Sequence, residues 1–217
     1  EILLEIIGEE NRHLIGCITG PNLAFEVMQR LPSASVSSSY DPKLMTDIAG
    51  LFKSSFFRVY PNSDLMGICF GGAMKNIIAI ACGISDGLKF GNNTKAALMT
   101  RGLHEIKKLS VSKNANPETL NGLAGLGDLF VTCVSSLSRN YRFGKMLAEG
   151  VSPEKAKEDI GMVVEGAYTV VSARELSVEN HISAPITQAT YSVLYEKLAP
   201  ENAVKLLLQR AVKEEHL

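Results

Sequence analysis

The rhythm of hydrophobic and polar positions changes once along the chain. Leu14–Thr19 (LIGCIT) is a short apolar run stopped by Gly20-Pro21, which predicts a buried strand ending in a turn. Asn22–Arg30 follows, with Leu23, Val27 and Met28 spaced for one helical face. Ser33–Ser37 (SASVS) predicts a weak strand. Asp41-Pro42 predicts a helix start, with a capping carboxylate and proline at the first helical position. Leu44, Ile48, Leu51 and Phe52 continue that helix, and Phe56–Tyr60 (FFRVY) predicts a strand closed by Pro61-Asn62. Residues 1–62 thus alternate strand and helix, the pattern of an α/β sheet. The opening EILLEIIGEE has no basic n-region and no cleavage site, so it does not read as a signal peptide. It reads as the tail of a helix already under way, and the chain is expected to begin inside a domain.

Beyond Tyr60 the pattern predicts helices only. Leu65–Ile84 is apolar and long enough to cross a bilayer. Lys75 and Asn76 sit in its middle, and a lysine there costs about 2.5–3.5 kcal/mol on insertion scales. The flanks carry Asp64 and Asp86 and no basic asymmetry, so a central helix of a water-surrounded core is the better reading. Gly67, Gly71, Gly72 and Ala73 would let another backbone come close. Each glycine weakens a helix by about 1 kcal/mol relative to alanine, so their number needs a packing or ligand reason. Thr94–Leu109 is amphipathic, with Leu98, Leu103, Ile106 and Leu109 inward and Lys107 and Lys108 outward. Asn116-Pro117-Glu118 and Ser152-Pro153-Glu154 each start a helix by cap and proline. Gly166–Glu179, Thr190–Leu198 and Glu201–Glu214 complete the series. The expected organisation is part of an α/β domain over residues 1–62 and an all-helical domain over 63–217.

Composition narrows the classes. The 217 residues are 46% hydrophobic and 21% charged, ordinary for a globular protein and against a disordered chain. With 22 basic and 23 acidic side chains the formal charge is −1, which gives no general field toward nucleic acid or anionic lipid. Cys17, Cys69, Cys82 and Cys133 form no C-x-x-C pair and have mostly apolar or small neighbours, as core thiols of a reducing compartment do. His13, His104, His181 and His216 share no metal spacing, so no metal site is expected.

Four segments carry candidate chemistry. Lys75 is either buried, where desolvation would make it a general acid/base, or snorkels from the helix to water. Asn76 beside it can orient a small polar ligand. Gly122–Asp128 (GLAGLGD) is either a tight turn aiming Asp128 into a pocket or a plain loop with Asp128 as an N-cap, the commoner role for such a residue. Ser138-Arg139-Asn140-Tyr141-Arg142 combines hydroxyl, guanidinium and amide donors suited to phosphate oxygens, or starts a solvated helix with Ser138 as cap. Val163-Val164-Glu165-Gly166 places a carboxylate just before a helix, where it could accept from a ribose hydroxyl or simply favour the helix N-terminus.

Taken in order, these pieces resemble the NAD(P)-dependent glycerol-3-phosphate dehydrogenases of bacteria. Gly20-Pro21-Asn22-Leu23-Ala24-Phe25-Glu26 is similar to the family's G-P-N-F-A-x-E segment. Gly71-Gly72-Ala73-Met74-Lys75-Asn76-Ile77-Ile78-Ala79-Ile80 is similar to its G-G-A-x-K-N-x-x-A-I helix. Asp86-Gly87, Gly125-Leu126-Gly127-Asp128-Leu129, Thr132-Cys133, Ser138-Arg139-Asn140, Arg142-Phe143-Gly144 and Val164-Glu165-Gly166 follow in the family's order. The resemblance implies a Rossmann-type α/β remnant followed by an all-α domain like the C-terminal domain of 6-phosphogluconate dehydrogenase. It implies hydride transfer between NAD or NADP and the glycerol 3-phosphate/dihydroxyacetone phosphate pair, in a cytoplasmic homodimer supplying glycerol 3-phosphate for phospholipids. It implies Lys75 as the catalytic proton carrier. Gly20, Asn22, Asn76, Asp128, Ser138, Arg139 and Asn140 would bind substrate with Lys75. Ala24, Arg139, Val163 and Glu165 would touch the cofactor.

Departures also have consequences. The chain lacks G-x-G-x-x-G and the family's upstream lysine of a K-G pair, and Leu23 and Phe25 replace commoner residues. Without the glycine loop there is no pyrophosphate cradle at a helix N-terminus. The chain is therefore expected to be a fragment that neither binds NAD(P) tightly nor turns over by itself. A non-catalytic helical binding or dimerisation module, or a related hydroxyacid dehydrogenase, is the alternative. The choice between NADH and NADPH rests on residues after the second Rossmann strand, which this chain does not contain.

Overall fold

The computed structural model describes residues 2–211. His216 and the end of the expected Glu201–Glu214 helix lie outside them. Helix α1 (Ile2–Ile7) and a 3-10 turn (Glu9–Leu14) lead into strand β1 (Gly16–Thr19). Strands β2 (Ser33–Ser39) and β3 (Phe57–Pro61) complete a sheet of order β1-β2-β3. β1 runs antiparallel to β2, with Thr19 opposite Val36, and β3 runs parallel to β2, with Tyr60 opposite Val36.

The serine-rich segment read as a weak strand is the centre of the sheet, and Ser35–Ser39 is buried throughout. Three of its four buried hydroxyls, those of Ser35, Ser37 and Ser39, find partners, while Ser38 Oγ is buried without one. Ser37 Oγ donates to the Met45 carbonyl at 3.0 Å and Ser39 Oγ to the Ile15 carbonyl at 2.6 Å. Helix α2 (Ala24–Met28) is shorter than the expected 22–30, and Met28 is 82% exposed, so the apolar face read there is not buried. Arg30 turns to φ +59° and Pro32 follows, which ends the helix early. Helix α3 (Pro42–Phe52) starts as expected: the Asp41 carboxylate accepts the Lys43 N–H at 2.7 Å. Leu51 and Phe52 end the helix as their spacing predicted, and both are exposed.

The sheet ends at Pro61 and helix α4 begins at Leu65, capped by Asp64, which accepts the Gly67 N–H at 2.9 Å. α4 (Leu65–Gly87) is the axis of the molecule. Helices α5 (Gly91–Val111), α6 (Asp128–Val134), α7 (Arg139–Ala148) and α9 (Glu165–Glu179) all pack on it. Most of its apolar side chains meet the rest of the molecule: Ile77, Ile78, Ala79, Ile80 and Cys82 are sealed among the helices, and Ile68 packs with Val36 of β2 and Ala124. α8 (Pro153–Ile160), capped by Ser152, α10 (Pro185–Tyr195) and α11 (Pro200–Leu208) close the bundle. Asn116-Pro117 starts only a 3-10 turn, Pro117–Asn121, which a π-helical turn, Leu123–Gly127, joins to α6. Among the described residues no strand follows Pro61.

The small residues of α4 divide by function. Gly71 lies under the Ala124 carbonyl and Gly72 under Thr19 of β1, while Gly67 faces its own cap and Ala73 points outward. The core-thiol expectation holds for Cys82 and Cys133, which are fully buried. It fails for the other two: Cys69 is exposed and Cys17 half-buried, because both lie where β1 rests on the rim of α4.

Candidate active site

A cleft of about 250 Å³ opens where the sheet meets the bundle. One wall is the turn after β1, with Asn22, Leu23 and Ala24, and the floor is α4, with Gly72, Lys75 and Asn76. The far wall is Asp128, Val131 and Thr132 of α6, then Leu137, Ser138, Arg139 and Asn140, with Glu165 at the edge.

Lys75 does not snorkel. Its Nζ pairs with Oδ1 of Asp128, and the two side chains are 18% and 4% exposed. Asp128 is not an N-cap either. The π-helical turn runs directly into α6, so Asp128 enters as the helix's first residue with its carboxylate aimed at the cleft. That turn needs Gly125, whose missing Cβ would lie 2.2 Å from the Leu120 carbonyl oxygen. The Asp128 carboxylate accepts from Thr132 Oγ1 at 3.2 Å and from Thr19 Oγ1 at 3.4 Å. Burial pushes the Asp128 carboxyl above its ordinary range, while the Lys75 ammonium and the two hydroxyls pull the other way.

A second network holds the donor groups. Asn140 Nδ2 donates to Asn76 Oδ1 at 2.9 Å, and Asn140 Oδ1 accepts the Gly166 N–H at 2.9 Å. Asn76 Nδ2 donates to Glu165 Oε2 at 3.1 Å, and the Arg139 guanidinium donates to Glu165 Oε1 at 3.2 Å. Ser138 caps α7 by accepting the Tyr141 N–H at 3.2 Å, so its structural role is real although it also lines the cleft.

Most of the residues singled out from sequence therefore meet in one place. Gly20 and Val163 do not line the cleft. Gly20, at φ +137°, makes the turn that sets Asn22, whose Nδ2 donates to Ser35 Oγ at 3.1 Å. Val163 is 61% exposed outside the cleft, two residues before Glu165. Sequence reading missed Thr19, Gly72 and Thr132 as members of the site. Thr132 could have been found as the hydroxyl four residues after Asp128 on one helix face. Nothing local marks Thr19, which reaches Asp128 across a separation of 109 residues.

Residues 64–205 match the family described as NAD-dependent glycerol-3-phosphate dehydrogenase C-terminus. The chain belongs to the NAD-dependent glycerol-3-phosphate dehydrogenase family. Over all 217 residues it is 55% identical to the glycerol-3-phosphate dehydrogenase, NAD(P)+-dependent by name, of Protochlamydia amoebophila. It is 54% identical to the protein of the same name from Chlamydia muridarum. It spans 65% of the length of each. The crystal structure of glycerol-3-phosphate dehydrogenase from Coxiella burnetii superposes at a TM-score of 0.87 with 44% identity, over 90% of this chain and 60% of that one. A Dunaliella salina structure at 23% identity and TM-score 0.81 shares the fold. The ordered motifs thus led to the right family, and the small sheet with its helical bundle is that of glycerol-3-phosphate dehydrogenases.

Proposed function

We propose that this chain carries the substrate-binding and proton-transfer part of an enzyme that interconverts glycerol 3-phosphate and dihydroxyacetone phosphate with NAD(P). The observation that carries this reading is the Lys75–Asp128 pair in a cleft that Arg139, Asn76 and Asn140 also line. A small polyol phosphate needs both: a proton carrier at its carbinol oxygen and a planar cation at its phosphate.

The chemistry follows from the groups. In the reducing direction the Lys75 ammonium donates a proton to the C2 oxygen, and in the oxidising direction its amine takes that proton back. Asp128 holds Lys75 in place, and Thr19 and Thr132 hold Asp128. Arg139 presents its guanidinium fork to the phosphate, with Ser138 and Asn140 beside it and Asn22 on the opposite wall. The reactive end of a cofactor would meet Ala24 on one wall of the cleft and Arg139 and Glu165 on the other. Val163, outside the cleft, would meet a more distant part of it. Bound NAD(P) supplies the hydride acceptor or donor. Residues 1–62 would be the C-terminal part of the NAD(P)-binding domain and 63–217 the substrate and dimerisation domain. Family membership supports a cytoplasmic homodimer that feeds phospholipid synthesis.

The test is dihydroxyacetone-phosphate-dependent oxidation of NADH and NADPH, followed by absorbance. The 217-residue chain alone is expected to be silent. The chain fused to the dinucleotide-binding segment of its Protochlamydia relative is expected to turn over, and Lys75→Ala to lower the rate by about 10²–10⁴-fold. A folded but silent fusion, or full activity in Lys75→Ala, overturns the reading, and the first of these favours a non-catalytic binding module.

A further inference from the structure

Two thiols that the reaction does not use face each other where the sheet meets the bundle. Cys17 lies on β1 and Cys69 on the first turns of α4, and their sulfurs are 3.5 Å apart. The opposition is set by the backbone. Cys17 and Thr19 share one side of β1, and Cys69 and Gly72 are one turn apart on α4. The next rung of the same contact is Thr19 over Gly72, where a Cβ on the glycine would stand 3.0 Å from Thr19 Oγ1. A disulfide needs its sulfurs at about 2.05 Å, so this pair has about 1.5 Å left to close.

We propose that Cys17 and Cys69 form an oxidisable thiol pair, a modification site that a peroxide converts to an intramolecular disulfide joining β1 to α4. Cys69 is exposed and Cys17 half-buried, so an oxidant in solution reaches the pair. The hydrogen bond with Cys17 lowers the Cys69 pKa, and Cys69 is the more exposed of the two, which makes it the attacking sulfur. The Cys69 thiolate attacks one peroxide oxygen and the O–O bond breaks. Cys69 becomes a sulfenic acid and hydroxide leaves, the sulfur oxidised by two electrons and the peroxide reduced. Cys17 then loses its proton and attacks the Cys69 sulfur, the S–O bond breaks, and the departing hydroxide takes the proton as water. Two thiols and one hydrogen peroxide give one disulfide and two waters.

The molecule holds its own control. Cys82 and Cys133 are also neighbours, but both have no exposed surface, and the hydrogen bond with Cys82, then burial, raises the Cys133 thiol well above its ordinary range. The new bond would pin β1 one rung from Thr19, whose hydroxyl supports Asp128. Oxidation therefore locks the sheet wall of the cleft against its floor.

The experiment is peroxide treatment of the native chain, then denaturing alkylation and peptide mass analysis. The expected product is a Cys17–Cys69 cross-linked peptide pair lighter by about 2 Da, reversed by dithiothreitol, with Cys82 and Cys133 still alkylated. In Cys17→Ser, Cys69 should instead be trapped by dimedone as the sulfenic acid. Four results overturn the proposal: no reaction of either thiol, a Cys69 sulfinic acid beside an alkylated Cys17, a disulfide between two chains, or oxidation of Cys82 and Cys133 at the same rate.

Discussion

Glu165 occupies both donor groups that a phosphate substrate would need. Its carboxylate takes the Arg139 guanidinium at 3.2 Å and the Asn76 amide at 3.1 Å. The Arg139 and Glu165 side chains are 31% and 55% exposed, so water screens the pair and its worth is about 0–1 kcal/mol. Glu165→Gln keeps the size and removes the competing charge. Glycerol 3-phosphate should then bind the cofactor-free chain up to about fivefold more tightly, measured by calorimetric titration. An unchanged or weaker affinity would mean that Glu165 does not compete with the anion. The sequence named Glu165, Arg139 and Asn76 individually, because charged and amide side chains within short motifs are visible in one dimension. It could not show that the three are already bonded to one another. That pairing depends on α4, α7 and the start of α9 converging, as the Thr19–Asp128 contact depends on β1 meeting α6. Asp128 itself was ambiguous because a carboxylate after glycine is usually a cap, and only the π-helical turn redirects it.

At the scale of elements, two close approaches hold the site's frame. α7 crosses α4 so tightly that a Cβ on Gly83 would lie 2.0 Å from the Tyr141 carbonyl oxygen. A Cβ on Gly144 would lie 2.0 Å from the Ile80 carbonyl oxygen. Helix propensity alone says that Gly→Ala gains about 1 kcal/mol. Backbone contact says the opposite, because no flexible side chain can move aside, and overpacking costs about 1–3 kcal/mol or more. The contact term wins, so Gly83→Ala and Gly144→Ala should each lower Tm, as a thermal melt would show, and a rise would refute the crossing geometry. Glu105 makes the other tie. It is buried on α5 and caps α10, accepting the Ile186 N–H at 2.7 Å and the Thr187 N–H at 3.1 Å. Burial pushes its pKa from 4.5 to about 7, against the lowering pull of those donors and of Arg210. Between those values the folded chain holds a proton that the unfolded chain has released. Stability from this group therefore falls as pH rises from about 4.5 to about 7 and levels off above, by about 3 kcal/mol at most. Melts across pH 5–8 should show that slope in the native chain and lose it in Glu105→Gln. Element starts marked by Asp or Ser before proline were legible, because the cap chemistry is local. β2 was under-read because its burial comes from two neighbouring strands and not from its own composition.

For the whole molecule, the two ends of the expected reaction mixture should behave differently. Both walls of the cleft are present in these residues: the turn after β1 on one side and α6 with α7 on the other. The cation is local to Arg139, since a formal charge of −1 gives no long-range attraction to phosphate. A small phosphate held by one guanidinium and a few amides is worth about 4 kcal/mol, a Kd near the millimolar range. A dinucleotide needs more. Its pyrophosphate requires a glycine-rich turn at a helix N-terminus, and the sequence contains no G-x-G-x-x-G. Titrating the native chain should therefore give saturable glycerol 3-phosphate binding that Arg139→Ala removes, and no saturable NADH or NADPH binding in the same range by cofactor fluorescence. Removal of phosphate binding by Arg139→Ala with an unchanged melt would place the anion in the cleft. Micromolar NADH binding to this chain would instead mean that the bundle and its small sheet hold the dinucleotide by a surface other than a glycine turn, with the exposed strip around Val163 and Tyr168 as the place to look.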